Sequence, residues 1–271
     1  MIVRDWLVLA ESALSGVESP KLEAQVLAAH ALGMSRASLL AHQDAELPEF
    51  IDELLQRRAN HEPLAYILGY REFSSRRFAV RPGVLIPRQE TELLVETALR
   101  LAPQGGRVHE VGVGSGAVAI TIALERPDLV VTGSDISPVA VSTARENAEA
   151  LGASVEIREA DGLHGLGVYD VIVCNPPYIS LAERGALEAQ VRDWEPPEAL
   201  FSGPTGFEFY EMLAERAAAH LKPDGFIALE LGIDQSEGVR ALFNSHGWRF
   251  ESLTNDLAGI PRVIAFQRGP S

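Results

Sequence analysis

The sequence predicts an α/β protein built on a seven-stranded, mostly parallel sheet whose last strand is antiparallel, with a small helical domain in front of it. Three observations point there. From about residue 89 onward, short β-branched runs alternate with stretches of helical periodicity, the pattern of a doubly wound sheet. The last two strand candidates are joined only by "NDLAGIP", too short for a helical crossover, so they must pair antiparallel. Residues 1 to about 62 carry helical spacing and no strand pattern.

In chain order, Trp6, Leu7, Ala10, Ala13 and Leu14 set the first helix, and Ser19-Pro20 reads as an N-cap with proline in the first helical position. Leu22, Val26, Leu27 and Ala31 form the second helix, which Gly33 ends; a third follows Ser35. A fourth opens at Pro48, with Phe50, Ile51, Leu54 and Leu55, and stops before Pro63. Residues 63–88 read as a hairpin connector with Ser-Ser and Pro-Gly turns. The predicted division is therefore 1–62 helical, 63–88 connector and 89–271 sheet domain. Strands are expected at 107–111, 129–134, 155–159, 169–174, 225–231, 249–254 and 262–267. Helices are expected at 90–101, 116–126, 138–150, 206–221 and 235–246. Residues 179–205 form a long connection with Trp194, Pro196 and Pro197, of the length that usually serves a site.

Composition narrows the function classes. The chain carries 23 basic and 38 acidic residues, a net charge of −15, and a field of that sign opposes stable binding to phosphate backbones. Arg71, Arg76, Arg77, Arg81 and Arg88 are a local exception, with Glu72 the one acid among them: a solvated hairpin rim, or a docking patch for an anionic partner. No apolar run approaches the ~20 residues of a membrane span, and Asp5 and Glu11 break any secretory pattern. The single cysteine, Cys174, excludes a disulfide framework and fits a reducing compartment, so the cytoplasm is expected. The seven histidines show no ligand spacing, and no metal is expected; His109 and His164 read as packed or rim residues.

The ends of the early strands carry the chemistry, because ligands bind an open α/β sheet at the carboxyl ends of its strands. The first strand ends in "HEVGVGSGAVAI". Gly112, Gly114 and Gly116, with Val113 and Ser115 between them, give a tight turn that a ligand backbone can approach. The spacing is not that of the dinucleotide fingerprint. Glu110 would repel a pyrophosphate and suits an ammonium. Asp135, ending the second strand, can accept from both hydroxyls of a ribose, while Ser137 is better placed to cap the helix at Pro138. Asp161, followed by Gly162, can accept from an adenine amino group or simply make an Asp-Gly turn. Ribose, adenine-like base, cationic end and no phosphates together describe S-adenosylmethionine. The fourth strand then ends in "NPPY". The prolines fix the backbone and remove donors, leaving the Asn175 side-chain carbonyl and the Pro176 carbonyl as a pair of acceptors for a planar –NH2 group. Pro177 stiffens the turn and Tyr178 offers a flat face for stacking.

These residues resemble a known family. "NPPY" after a strand with the glycine turn upstream is similar to the amino-group methyltransferases that use S-adenosylmethionine. "IPRQETELLV" (86–95), "EVGVGSGAVAI" (110–120), "NPPYI" (175–179), "EPPEALFSGPTGFEFY" (195–210), "LKPDGFIALELG" (221–232) and "NDLAGIPR" (255–262) resemble the HemK-type protein glutamine methyltransferases. The family usually has Asp at Glu110, Pro at Gln89 and a more polar pair at Ile260 and Pro261. The resemblance implies the S-adenosylmethionine-dependent methyltransferase fold and methylation of the glutamine in the Gly-Gly-Gln motif of class I peptide chain release factors. It implies Asn175, Pro176 and Tyr178 as catalytic and, with Pro177, as substrate-binding residues. Glu110, Gly112, Val113, Gly114, Ser115, Gly116, Asp135, Asp161, Gly162 and Asn175 would hold the cofactor, and the helical part would dock the protein substrate. Two other readings compete: an amino-methyltransferase acting on a DNA or RNA base, and a non-catalytic S-adenosylmethionine sensor.

Overall fold

Trp6, Leu27 and Leu39 expose almost no surface in the computed structural model, which describes residues 1–269, and they centre the core of the first of two units. That unit comprises Met1–Tyr70 with Glu188–Trp194. Its helices are α1 (Val3–Ala13), α2 (Pro20–Ala31), α3 (Arg36–Ala41), α4 (Ile51–Ala59) and α5 (Leu64–Leu68). The apolar residues of α2 recur so that it packs against the other four. Polar groups that this packing buries are paired: the Trp6 indole N–H donates to Asp52 at 3.1 Å. Buried Arg58 is held by Glu23 and donates to the Glu62 carbonyl at 3.0 Å. A buried guanidinium persists only with such partners. Ser35 caps α3 by accepting from the Ser38 N–H at 3.1 Å. Ser19 precedes Pro20 as expected, but its hydroxyl makes no capping bond.

The second unit comprises Arg71–Leu187 and the chain from Glu195 onward. A small two-stranded sheet, β1 (Tyr70–Phe73) and β2 (Arg76–Ala79), turns through Ser74 and Ser75, both at positive φ. Then come α6 (Glu92–Leu101), β3 (Arg107–Val111), α7 (Ala117–Glu125), β4 (Val130–Asp135), α8 (Pro138–Leu151), β5 (Val155–Glu159) and β6 (Tyr169–Cys174). After α9 (Ala189–Arg192), a short helix of the first unit, come α10 (Pro197–Leu200), α11 (Glu208–Arg216), β7 (Leu221–Glu230), α12 (Ser236–Ser245), β8 (Arg249–Asn255) and β9 (Pro261–Gln267). The large sheet has the order β5-β4-β3-β6-β7-β9-β8. β9 alone is reversed, inserted between β7 and β8. Asp256 makes that reversal tight: its carboxylate accepts from the Ala258 and Ile260 N–H groups and pairs with Arg262.

Strand alternation splits the core into two layers. Val171 and Val173 face the layer built with α6, α7 and α8, whereas Ile172 and Cys174 face that built with α11 and α12. Strand order reverses between β4 and β6, on either side of β3, which opens a crevice at their carboxyl ends. Among the described residues no helix is long and apolar enough to cross a membrane.

Three local expectations are corrected. Residues 64–68 form a helical turn ended by Gly69 at φ +80°, not extended chain. The connection 179–205 has structure of its own: a 3-10 turn over Leu181–Ala186, α9 and α10. The helix expected to reach residue 221 stops at Arg216, followed by a 3-10 turn, and the strand begins at Leu221 rather than 225. Leu221 is buried and pairs with Tyr169, and a bulge then carries Lys222–Asp224 outward before Phe226 pairs with Val171.

Candidate active site

Parallel register brings the carboxyl ends of the strands together. Val111 pairs with Ser134 on one side and Cys174 on the other, so Gly112, Asp135 and Asn175 emerge side by side. The glycine turn is anchored from below: the Gly112 and Val113 N–H groups both donate to the Ser134 carbonyl, at 2.8 and 2.9 Å. Gly112 and Gly114 have positive φ and open space where a Cβ would stand. Gly116 also has positive φ (+85°), but a Cβ there would lie 2.6 Å from Ile120 Cδ1, so it serves close packing of α7. Buried Asn147 on α8 clamps the turn to the small sheet. Its amide NH2 donates to the Ser115 and Ala79 carbonyls (2.8 and 3.0 Å), and its carbonyl accepts from the Ala79 N–H (2.8 Å).

Two carboxylates flank the turn. Glu110 is buried and accepts from the Ala119 N–H at 2.8 Å, in the first turn of α7. Burial pushes its carboxyl well above the usual carboxylate range, against that hydrogen bond. Asp135 accepts from the Gly114 and Ser137 N–H groups, both at 2.9 Å, and burial raises it too. Ser137 caps α8 by accepting from the Ala140 N–H at 3.3 Å.

The segment after β6 is stitched in place by main-chain bonds. Ile179 donates to Leu200 and accepts from Ser202, and Leu181 donates to Gly203, each at 3.0 Å. The Tyr178 carbonyl accepts from Gln235 at 2.9 Å, and Gly206, with φ +83°, leaves the room this needs, since a Cβ there would stand 2.5 Å from that carbonyl oxygen. Asn175 directs its amide NH2 to the Thr91 hydroxyl at 3.4 Å, the long end of hydrogen bonding. Burial pushes the Tyr178 hydroxyl up to about 12, so it stays neutral.

These groups surround a cavity of about 620 Å³, within the range of small-molecule sites. Its lining includes Glu110, Gly112, Val113, Gly114, Ser115, Asp135, Asp161, Gly162, Asn175, Pro176 and Pro177. Gly116 and Tyr178 lie outside that lining; the Tyr178 ring packs instead on the α11–α12 side of the sheet. Sequence reasoning missed other lining residues. Val84, Leu85 and Pro87 come from the connector, Thr91 from the entry to α6, and Phe209, Met212 and Arg216 from α11. Buried Glu195 ties two parts of this wall together, accepting from the Ile86 N–H at 3.1 Å and pairing with Arg88.

His109 lies buried between Thr132 and Ser134, at 2.6 and 2.9 Å, and burial pushes its imidazole down to about 3. It packs; it does not line the cavity. His164 is exposed. Four of the five clustered arginines face carboxylates: Arg76 with Glu125, Arg77 with Glu72, Arg81 with Glu146 and Arg88 with Glu195. Among the described residues no three His, Cys, Asp or Glu side chains gather as for a metal ion.

Known proteins resemble the chain along nearly its whole length. The family model described as PrmC N-terminal domain matches residues 5–69, and that described as methyltransferase small domain matches 88–190. A release factor glutamine methyltransferase of Neisseria gonorrhoeae is 43% identical over 271 residues, spanning 97% of this chain and 96% of that protein. Another, of Geobacter sulfurreducens, is 42% identical over 98% of this chain and 96% of its own length. Among solved structures, a methyltransferase from Pyrococcus furiosus matches with a TM-score of 0.54 at 21% identity, over 71% of this chain and 88% of that one. A ribosomal protein L11 methylase from Lactobacillus delbrueckii subsp. bulgaricus gives 0.51 at 20% identity, over 70% and 84%. The two structures share the sheet architecture described above.

Proposed function

Because the chain belongs to the release factor glutamine methyltransferases, we propose that it transfers a methyl group from S-adenosylmethionine to the side-chain amide nitrogen of the glutamine in the Gly-Gly-Gln motif of class I release factors. The observation that carries this reading is the placement of Asn175 and Pro176 on the cavity wall, with Asn175 beside Gly112 of the open glycine turn.

The cavity fits the proposed cofactor in size, in its open turn and in its charge: Glu110, Asp135, Asp161, Glu198 and Glu208 line it, against Arg216 alone among the described lysines and arginines. Glu110 would hold the ammonium, Asp135 the ribose hydroxyls and Asp161, beside Gly162, the adenine amino group. Gly112, Val113, Gly114 and Ser115 would form the wall, with Gly116 fixing the helix behind them. The cofactor supplies an electrophilic methyl on a sulfonium, whose departure leaves a neutral thioether and calls for no metal.

The chain's own task is the nucleophile. A glutamine amide nitrogen shares its lone pair with its carbonyl and attacks poorly. The Asn175 and Pro176 carbonyls accept its two hydrogens, orient it, and stabilise the positive charge that develops there. Pro177 holds that geometry, and Tyr178, behind the wall, anchors the segment through its main-chain carbonyl. Hydrogen bonds to charged groups are worth about 1.5–3 kcal/mol each, and positioning contributes up to ~7–11 kcal/mol. The methylated nitrogen, cationic and strongly acidic, loses one hydrogen as a proton to water, so a strong general base is unnecessary.

We assign the docking of the release factor to residues 1–62, with 63–88 as connector and 89–271 as the catalytic part. The net charge of −15 weighs against stable nucleic-acid binding, and a translation-factor substrate with a lone buried thiol supports a cytoplasmic setting. Incubation with labelled S-adenosylmethionine and a class I release factor, duplex DNA or ribosomal RNA tests the reading. Label on the Gly-Gly-Gln glutamine, lost in Asn175→Ala, is expected; label on nucleic acid alone would overturn the substrate, and tight cofactor binding with no transfer would favour a sensor.

A further inference from the structure

An asparagine amide has two orientations of nearly identical shape, and only its hydrogen bonds choose between them. The reading proposed for Asn175 needs its carbonyl toward the substrate, since the opposite orientation sets one NH2 group against another. What fixes the choice is behind the residue. The Asn175 NH2 faces Thr91 Oγ1 at 3.4 Å. Thr91 is buried at the entry to α6, and it favours the charged form of the buried Glu230 carboxyl. Glu230 ends β7, one register step beyond the Leu229–Cys174 pair, and is itself buried. Its Oε2 has no hydrogen-bond partner, an unusual state for a buried carboxyl. Nothing in the fold requires an acid there; an apolar residue would avoid the desolvation.

Resting on the function proposed above, we propose that Thr91 and Glu230 are positioning residues for the substrate amide. Glu230 accepts the hydrogen bond of the Thr91 hydroxyl, which leaves Thr91 Oγ1 free to accept from the Asn175 NH2 and turns the Asn175 carbonyl toward the substrate. Neither residue reacts. An ionised carboxylate can only accept, so the direction of both bonds follows from its charge.

Several titratable groups face Glu230. Arg262 on β9 and Arg88 before α6 favour its charge, Glu90 before α6 opposes it, and Tyr178, Cys174 on β6 and Tyr210 on α11 lie around it. The Tyr210 hydroxyl donates to the Glu230 main-chain carbonyl at 2.8 Å and so does not serve the carboxyl. Burial dominates and holds the carboxyl at about 7. Below that pH Glu230 gains a proton and can donate to Thr91, which frees the Thr91 hydroxyl to donate to Asn175 and lets the amide turn over. The reacting groups themselves, an amide nitrogen and a sulfonium methyl, do not titrate in this range.

The test compares Thr91→Val, Thr91→Ser and Glu230→Gln with the parent, using methyl transfer to a class I release factor at saturating cofactor. Calorimetric binding of S-adenosylhomocysteine checks that each variant keeps its cofactor site. Valine keeps the methyl packing and loses the hydroxyl; serine does the reverse. The expected result is a kcat lowered by ~10- to ~100-fold in Thr91→Val, with S-adenosylhomocysteine affinity within twofold, and a kcat at least several-fold higher in Thr91→Ser. Serine as impaired as valine, or more so, would show a packing role and overturn the proposal. In Glu230→Gln the acid limb of kcat near pH 7 should vanish; its persistence would remove Glu230 from the arrangement. If the parent labels another amino-group acceptor instead of the release factor, the functional reading fails while the serine–valine ranking on that acceptor still decides the positioning role.

Discussion

Replacing Glu230 by glutamine should change the pH dependence of stability by an amount that follows from the burial of one carboxyl. Burial raises Glu230 from its ordinary 4.5 to about 7. The folded protein therefore binds a proton at this site that the unfolded chain has released, throughout the interval between those values. The stability this contributes is fully present below about 4.5 and is lost as pH rises through about 7. At about 1.4 kcal/mol per pH unit the whole change is worth about 3 kcal/mol. The sequence pI of about 4.9 limits work in acid, and from pH 5.5 upward about 2 kcal/mol of the change remains. Glu230→Gln cannot titrate, so its stability relative to the parent should rise by that amount between about pH 5.5 and 8, on top of a constant offset from the altered hydrogen bonding. Native-state hydrogen exchange of the β6 and β7 amides, corrected for intrinsic rates, reads the sheet that holds Glu230. Whole-chain fluorescence would mix Trp6 of the first unit with Trp248 of the second. Parent and variant curves that run parallel across this range would refute the claim that burial outweighs the groups favouring the charge of this carboxyl.

Other substitutions test the remaining parts. Asn175→Ala should lower kcat roughly 10²–10³-fold while S-adenosylhomocysteine affinity stays within a few fold; near-normal turnover would dismiss the acceptor pair. Glu110 ionises with difficulty in the empty site, so binding a cationic ligand should release a proton. The affinity for S-adenosylmethionine should then keep rising with pH above the usual carboxylate range. In Glu110→Gln that dependence should disappear and affinity fall ~10- to ~100-fold, the value of a charge-assisted hydrogen bond, as calorimetry in buffers of different ionisation enthalpy would measure. Gly206→Ala would force a side chain to φ +83° and against the Tyr178 carbonyl. It should destabilise by about 1–3 kcal/mol and lower methyl transfer; a variant with the parent's melting temperature would show that the Tyr178 segment yields freely.

The sheet was legible because its strands are short β-branched runs closed by Gly, Asn or Asp, and because "NDLAGIP" admits only a reversal. Asp135 and Glu110 drew attention for a positional reason, since both stand at strand ends where a doubly wound sheet opens. Thr91 carried no such mark: it is 84 residues from Asn175, and only the packing of α6 across β6 and β7 brings them together. Glu230 sits inside "FIALELG", where nothing tells a buried acid from a solvent-facing one. Leu64–Leu68 is too short for helical periodicity to register, and α9 and α10 are shorter still. Bulges escape for a similar reason, because "LKPDG" reads as a turn until Leu221 is seen paired with Tyr169.

The clamp at Asn147 decides where the catalytic part can be cut. Two of its three hydrogen bonds end on Ala79, which lies in the stretch 70–87 that neither matching family model covers. A fragment started at residue 88 would retain every strand of the large sheet, yet it would strand a buried carboxamide and release the chain that holds Ser115. By this criterion the shortest self-sufficient methyltransferase begins upstream of β2, and the connector is an integral wall of the cofactor turn.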